Sequence, residues 1–177
     1  VPDSYVDALC IDIQRCLPAG THLQSVFIGG GTPSLLSMGQ MERIAATLEE
    51  VVQFDAELEF SVEVNPATVS QEWLQGAYSL GVNRLSIGVQ SFQDEALGVL
   101  GRAHTSADAL WCIEHARRAG FANINVDMIF ALSGALALER GRAWLEADQQ
   151  MIARLVPDHV SVYGLTLEPG TLFGVQA

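Results

Sequence analysis

The sequence predicts an α/β fold in which parallel strands alternate with helices, and three observations carry that prediction. Five short runs, residues 26–29, 58–64, 84–90, 124–130 and 159–166, have the composition and length of strands. The segments between them keep helical spacing of apolar residues and are much too long for hairpins, which calls for crossover connections and parallel pairing. Within the strands apolar and polar residues alternate, so each strand offers one apolar face and one polar face. An antiparallel sheet wetted on one side would alternate as well, but would not need helices between every pair of strands.

Each element has its own justification. An opening helix lies within residues 4–16. The first strand runs into "IGGGTP", where three glycines remove side chains from the backbone and a proline then stiffens it. Ser37 with Gln40 three residues on forms a capping box, followed by Met41, Ile44, Ala45, Leu48, Val51 and Val52 at helical spacing. In "LEFSVEV", Phe60, Val62 and Val64 oppose Glu59, Ser61 and Glu63. Ser70 heads a helix through Trp73, Leu74, Ala77 and Leu80, which Gly81 ends. The strand "RLSIGVQ" sets Leu85, Ile87 and Val89 against Ser86, Gly88 and Gln90. A helix headed by Ser106 extends to Gly120, and "INVDM" then splits Ile124, Val126 and Met128 from Asn125 and Asp127. A last helix falls within residues 137–155, before the fifth strand.

Composition narrows the function. The 177 residues are 49% hydrophobic, enough for one domain spanning residues 1–177. The net charge of −12 comes from 21 acidic residues against nine arginines and no lysine. That balance argues against nucleic acid and against an anionic membrane surface, both of which need clustered cations. No apolar run reaches the roughly 18 residues of a membrane span and the N-terminus has no signal-peptide pattern, so the expected compartment is the cytoplasm. Cys10, Cys16 and Cys112 are an odd, scattered set that reads as small apolar residues rather than a disulfide framework or zinc site.

With helices covering the apolar strand faces, the polar faces converge, and Glu63, Gln90 and Asp127 fall at strand carboxyl ends, where ligands bind in β/α barrels and open α/β sheets. Whether the sheet closes as a barrel stays open at this level. The glycine run occupies the same edge, and reads either as a cradle for a close-approaching ligand or as a tight structural turn. Glu63 is either a ligand-binding carboxylate or a solvated strand-end charge. Asp127, between Val126 and Met128, needs a partner in either case. Arg102 in "LGRAHT" suits a carboxylate partner or the surface. His22, His104 and His115 are read as structural. No G-x-S-x-G, H-E-x-x-H or C-x-x-C pattern occurs, so hydrolase and metalloenzyme readings lack their parts.

Taken together, "SVFIGGGTPSLLS", "EVNPATV", "GVNRLSIGVQSFQDEALGVLGRAHT", "NINVDMIF" and "PDHVSVYGLTLEPGT" resemble the radical S-adenosylmethionine family of oxygen-independent coproporphyrinogen III oxidase and its haem-chaperone relatives, over nearly the whole chain. "PSLLS", "EVNP", "VQSF" and "LTLEPGT" are more similar to the haem-chaperone branch. The resemblance implies an α/β fold of the partial (β/α)6 radical-SAM barrel type with the first β unit missing. It also implies S-adenosylmethionine as cofactor, a [4Fe-4S] cluster in the parent protein, and haem or a porphyrin as ligand with a haem-accepting protein as partner. Carried over residue by residue, the family's cofactor contacts fall on Gly30, Gly31, Thr32, Glu63, Gln90, Arg102 and Asp127, with Thr166 at the last strand. The oxidase itself, and a cluster-less binding barrel, are the alternative functions.

Two departures from the family accompany the match. Its C-x3-C-x2-C cluster motif is absent and would lie upstream of Val1, so the chain is expected to be a fragment that also lacks the family's C-terminal domain and is inactive by itself. Residues 131–138, "ALSGALAL", replace a Gly-Leu-Pro-Gly-Gln-Thr run, which alters that loop. An incomplete barrel also exposes sheet edges, where self-association is expected.

Overall fold

The computed structural model describes residues 1–130, 137–166 and 168–170, the first three of the second span by backbone alone. Six α-helices and five strands alternate among these residues: α1 Asp3–Cys16, β1 Thr21–Ile28, α2 Met38–Val51, β2 Val52–Val64, α3 Gln71–Ser79, β3 Arg84–Gln90, α4 Asp94–Val99, α5 Ser106–Ala119, β4 Asn123–Phe130, α6 Ala137–Leu155 and β5 His159–Gly164. The strands form one parallel sheet in the order β1-β2-β3-β4-β5, a curled half-barrel with β1 and β5 at its edges. The antiparallel alternative is thereby excluded.

The apolar strand faces supply the core, as their alternation required. Val62, Leu85, Ile87, Val89 and Ile124 are completely buried, and Met41 and Leu74 from α2 and α3 and Ala109, Cys112 and Ala116 from α5 pack in the same cluster. Burying one such side chain contributes on the order of 1.5–3 kcal/mol, which decides the register: a one-residue slip would turn the whole set outward.

Local chemistry sets the helix starts. Ser37 Oγ accepts from the Gln40 amide at 3.3 Å while Gln40 Oε1 accepts from the Ser37 amide at 3.1 Å, the predicted capping box. Ser70 Oγ likewise accepts from the Trp73 amide at 3.2 Å. For α5 the cap is Thr105 rather than Ser106, because Asp108 stands three residues beyond Thr105 and closes the reciprocal box. Gly120 ends that helix with φ 114°, and Gly81 follows α3 with φ 95°.

The first two strands are longer than the sequence predicts, beginning at Thr21 and Val52 instead of residues 26 and 58. In this extension Thr21, His22 and Leu23 pair with Val52, Gln53 and Phe54 before the register shifts. Much of the added stretch is exposed and polar, so backbone pairing builds it without the side-chain pattern that marks a buried strand. The short helix α4, just before "LGRAHT", has only six residues, too few for periodicity to set its bounds.

Candidate functional site

The polar faces of the strands line the inside of the half-barrel and bond to one another in layers. Level with the amino end of β3, Ser61 Oγ donates to Glu59 Oε1 at 2.9 Å and Arg84 Nη1 donates to Ser61 Oγ at 3.3 Å. One layer up, Asn125, only 1% exposed, donates through Nδ2 to Ser86 Oγ and to Asp127 Oδ1, both at 2.8 Å. Its Oδ1 faces His159 Nδ1 at 2.7 Å and the Ser161 hydroxyl at 3.1 Å. Ser86 Oγ in turn donates to Asp127 Oδ2 at 2.9 Å. Asp127 therefore has a donor on each oxygen and is fixed in orientation, with further acceptor capacity toward the cleft. Ser86 and Asn125 hold Asp127 without being among the predicted site positions; the alternation of "RLSIGVQ" and "NINVDM" places them on the inner face but gives no sign of their mutual bonds.

At the end of β1 the three glycines have distinct jobs. Gly30 and Gly31 have φ of 86° and 62°, in the left-handed region that side-chain-bearing residues rarely adopt. Gly29 has no such φ; a Cβ there would overlap the Phe27 ring and stand 3.0 Å from Glu63 Cδ. Its missing side chain is what admits the Glu63 carboxylate, whose Oε2 accepts from the Gly30 amide at 2.9 Å. The run is thus a turn and a cradle at once. The cradle holds the protein's own carboxylate, and the Gly30 amide is already engaged.

Gln90 ends β3, is 8% exposed, and is one of two non-glycine residues among those described with positive φ, at 69°. Its amide Nε2 lies where a Cβ on Gly88 would come within 3.0 Å, so Gly88 gives it room. Arg102 follows α4 and Gly101 on an exposed turn, and its guanidinium pairs with no carboxylate among the described residues.

These segments meet in one cleft of about 360 Å³ at the carboxyl ends of the strands. Of the eight predicted positions, Gly31, Thr32, Glu63, Gln90, Arg102 and Asp127 line it together, from five separate stretches of chain. Gly30 lies behind Glu63, and Thr166, exposed past the end of β5, is not among the lining residues. Tyr163 and Ile129, unpredicted, close the β5 side. The altered loop falls mostly outside the described residues.

Comparison with known proteins then decides the family. The Radical SAM superfamily profile matches residues 11–135. The chain belongs to the Radical SAM superfamily. Among its relatives are the heme chaperone HemW of Bacillus subtilis, 40% identical over 97% of this chain and 45% of that protein, and that of Lactococcus lactis, 35% identical over 97% and 43%. The oxygen-independent coproporphyrinogen III oxidase of Escherichia coli is 35% identical over 98% of this chain and 37% of its own length. The chain thus spans less than half of each of these proteins. The solved E. coli coproporphyrinogen III oxidase superposes with a TM-score of 0.86 at 34% identity, covering 98% of this chain and 39% of that one. The archaeal Elp3 of Methanocaldococcus infernus, at 18% identity over 85% of this chain and 39% of that one, still shares the fold with a TM-score of 0.66.

The radical SAM family implies S-adenosylmethionine and a [4Fe-4S] cluster, and the described residues suit the two differently. The cleft falls within the roughly 300–1,000 Å³ usual for small-molecule sites, and carries carboxylate, amide and guanidinium groups for a zwitterion bearing a sugar. For the cluster, no group of three or more His, Cys, Asp or Glu among the described residues is placed to hold a metal. Cys112 is buried and its thiol is pushed up to about 12 by desolvation, far from the thiolate that iron requires.

Proposed function

We propose that this chain is the S-adenosylmethionine-binding part of a haem-chaperone-like radical SAM protein. The observation that supports it most is the convergence of Gly31, Thr32, Glu63, Gln90, Arg102 and Asp127 on one cleft. Such groups, far apart in sequence and contributed by strand ends and by the turn after α4, have no structural need to face one another. When bound, S-adenosylmethionine supplies an electrophilic sulfonium, the group on which the family's chemistry turns.

The chain's own residues bind and orient it. Arg102, planar and without a carboxylate partner among the described residues, takes the carboxylate of the methionine end. Glu63, held by the Gly30 amide through one oxygen, takes the ammonium through the other, beside Gly31 and Thr32. Asp127, fixed by Ser86 and Asn125, accepts from ribose hydroxyls, and Gln90 adds an amide that can donate or accept. Among the described residues no group of three or more His, Cys, Asp or Glu is placed to hold an iron–sulfur cluster.

Haem as the second ligand, a haem-accepting protein as partner, and a single domain over residues 1–177 are proposed with this reading, on the strength of the HemW relatives. The oxidase is the second reading, favoured by the close superposition on the E. coli enzyme. Isothermal titration with S-adenosylmethionine tests the binding site. Saturable 1:1 binding lost in Glu63→Ala and in Asp127→Ala is expected; binding that neither change weakens refutes the site. A haemin titration at the Soret band tests the branch: saturation supports the chaperone, and its absence leaves the oxidase reading in place.

A further inference from the structure

Gln90 sits in an unusual piece of backbone. Its φ of 69° occurs where the Ser91 amide donates to the Val89 carbonyl at 2.9 Å, which makes Gln90 the centre of a γ-turn of the rare positive-φ hand. The β3–β4 register shifts between Ile87 and Gln90, so the ladder does not impose this conformation. A strained residue persists only where its surroundings over-determine it.

Two buried side chains, neither of which lines the cleft, supply that determination. His104, 3% exposed, places Nε2 2.9 Å from the Val89 carbonyl oxygen. A carbonyl only accepts, so Nε2 carries the proton; the other ring nitrogen is buried with no hydrogen-bond partner among the described residues. On the other side of the turn stands Asp148 of α6, 6% exposed. Its Oδ2 accepts from the Ser91 hydroxyl and its Oδ1 from the Phe92 amide, both at 2.8 Å, and Gln93 Nε2 approaches Oδ1 at 3.3 Å. A buried carboxylate on a helix more than fifty residues away thus gathers three consecutive residues of one loop, immediately after the strained one.

We propose that His104 and Asp148 are positioning residues that clamp the γ-turn at Gln90 from the residue before and the residues after it, so that the Gln90 amide lies over Gly88 and is presented to the cleft. The clamp rests on the cofactor reading only for its purpose; the backbone geometry is independent of what binds. Removing either arm lets Gln90 relax to negative φ and withdraws its side chain.

The test uses two readouts on the full chain. The one-bond Cα–Hα coupling of Gln90 separates positive from negative φ without any ligand, and titration with S-adenosylmethionine measures affinity. Asp148→Leu and His104→Phe should move the coupling to its negative-φ value and weaken binding about tenfold, the loss of one hydrogen bond to the ligand. Asp148→Asn should restore both, because its amide oxygen can still accept from Phe92 while the Ser91 hydroxyl turns to accept from its NH2. In the Gln90→Ala background the Asp148 change should cost no further affinity. If Asp148→Leu does not fold, Ser91→Ala removes one bond of the same arm and must move the coupling in the same direction. An unchanged Gln90 coupling in both His104→Phe and the Asp148 or Ser91 variant overturns the clamp. Unchanged affinity in Gln90→Ala overturns the cofactor role of Gln90 instead, and leaves the coupling to decide the clamp.

Discussion

Replacing Gly29 by alanine should separate ligand binding from folding at this site. The backbone at Gly29 lies outside the positive-φ range, so alanine is conformationally acceptable there, and stiffening the unfolded chain favours the folded state by about 0.4–1 kcal/mol. Against this, the new methyl would overlap the Phe27 ring, which is 57% exposed and can turn into solvent at small cost. Glu63 has less freedom. Its Cδ would stand 3.0 Å from the methyl, so it must retreat by about 0.5 Å to reach ordinary carbon–carbon contact. That retreat stretches its 2.9 Å bond to the Gly30 amide past the ~3.2 Å limit of a good hydrogen bond. Misplacing one charged hydrogen-bonding group represents about 1.5–3 kcal/mol, or roughly 10- to 100-fold in affinity. The expected outcome is a urea midpoint close to that of the unsubstituted chain, together with at least tenfold weaker binding of S-adenosylmethionine by titration calorimetry. Unchanged affinity in a folded Gly29→Ala protein would refute the reasoning that the missing Cβ exists to seat Glu63.

Further outcomes follow from the inner layers and the titratable groups. Asn125→Ala leaves Ser86, Asp127, His159 and Ser161 without their shared partner and should lower unfolding free energy by about 2 kcal/mol in chemical denaturation; a loss below about 0.5 kcal/mol would contradict the layer's structural weight. Asp158 is held below the usual carboxylate range by the Ile124 amide and by Arg117, so its contribution is present above about pH 4 and disappears as pH falls through its lowered folded value. Being 42% exposed it should contribute under about 1 kcal/mol, and the stability gap between the unsubstituted chain and Asp158→Asn should close on acidification; a gap that widens would contradict the sign. A disulfide reagent at pH 8 should modify exposed Cys16 in the folded protein and reach Cys112, whose thiol burial raises to about 12, only after denaturation.

The alternation that exposed the inner and outer faces was legible because a half-barrel has chemically different sides: Val62 and Ile87 must face helices, while Ser86 and Asn125 must face one another. Capping residues marked helix starts for the same local reason, with Thr105 and Ser106 separated only by the placement of Asp108. Sequence periodicity did not reveal the early starts of β1 and β2, which are held by edge pairing of polar residues. It also passed over Asp148, whose partners lie more than fifty residues away and whose setting in α6 resembles any helical aspartate. His104 reads as structural in the sequence, which gives no sign of its bond to the Val89 carbonyl. Gly30 illustrates the remaining gap: the resemblance places it among the cofactor contacts but gives no sign that its amide donates to Glu63.

The most direct measurement is a crystal structure of this chain grown with saturating S-adenosylmethionine. Ligand density in the cleft between Thr32, Glu63, Gln90 and Asp127, with Arg102 ordered against it, is the predicted result. Density only elsewhere, such as the apolar groove beside Tyr5 and Phe27, would contradict the assignment of the strand carboxyl ends as the binding site.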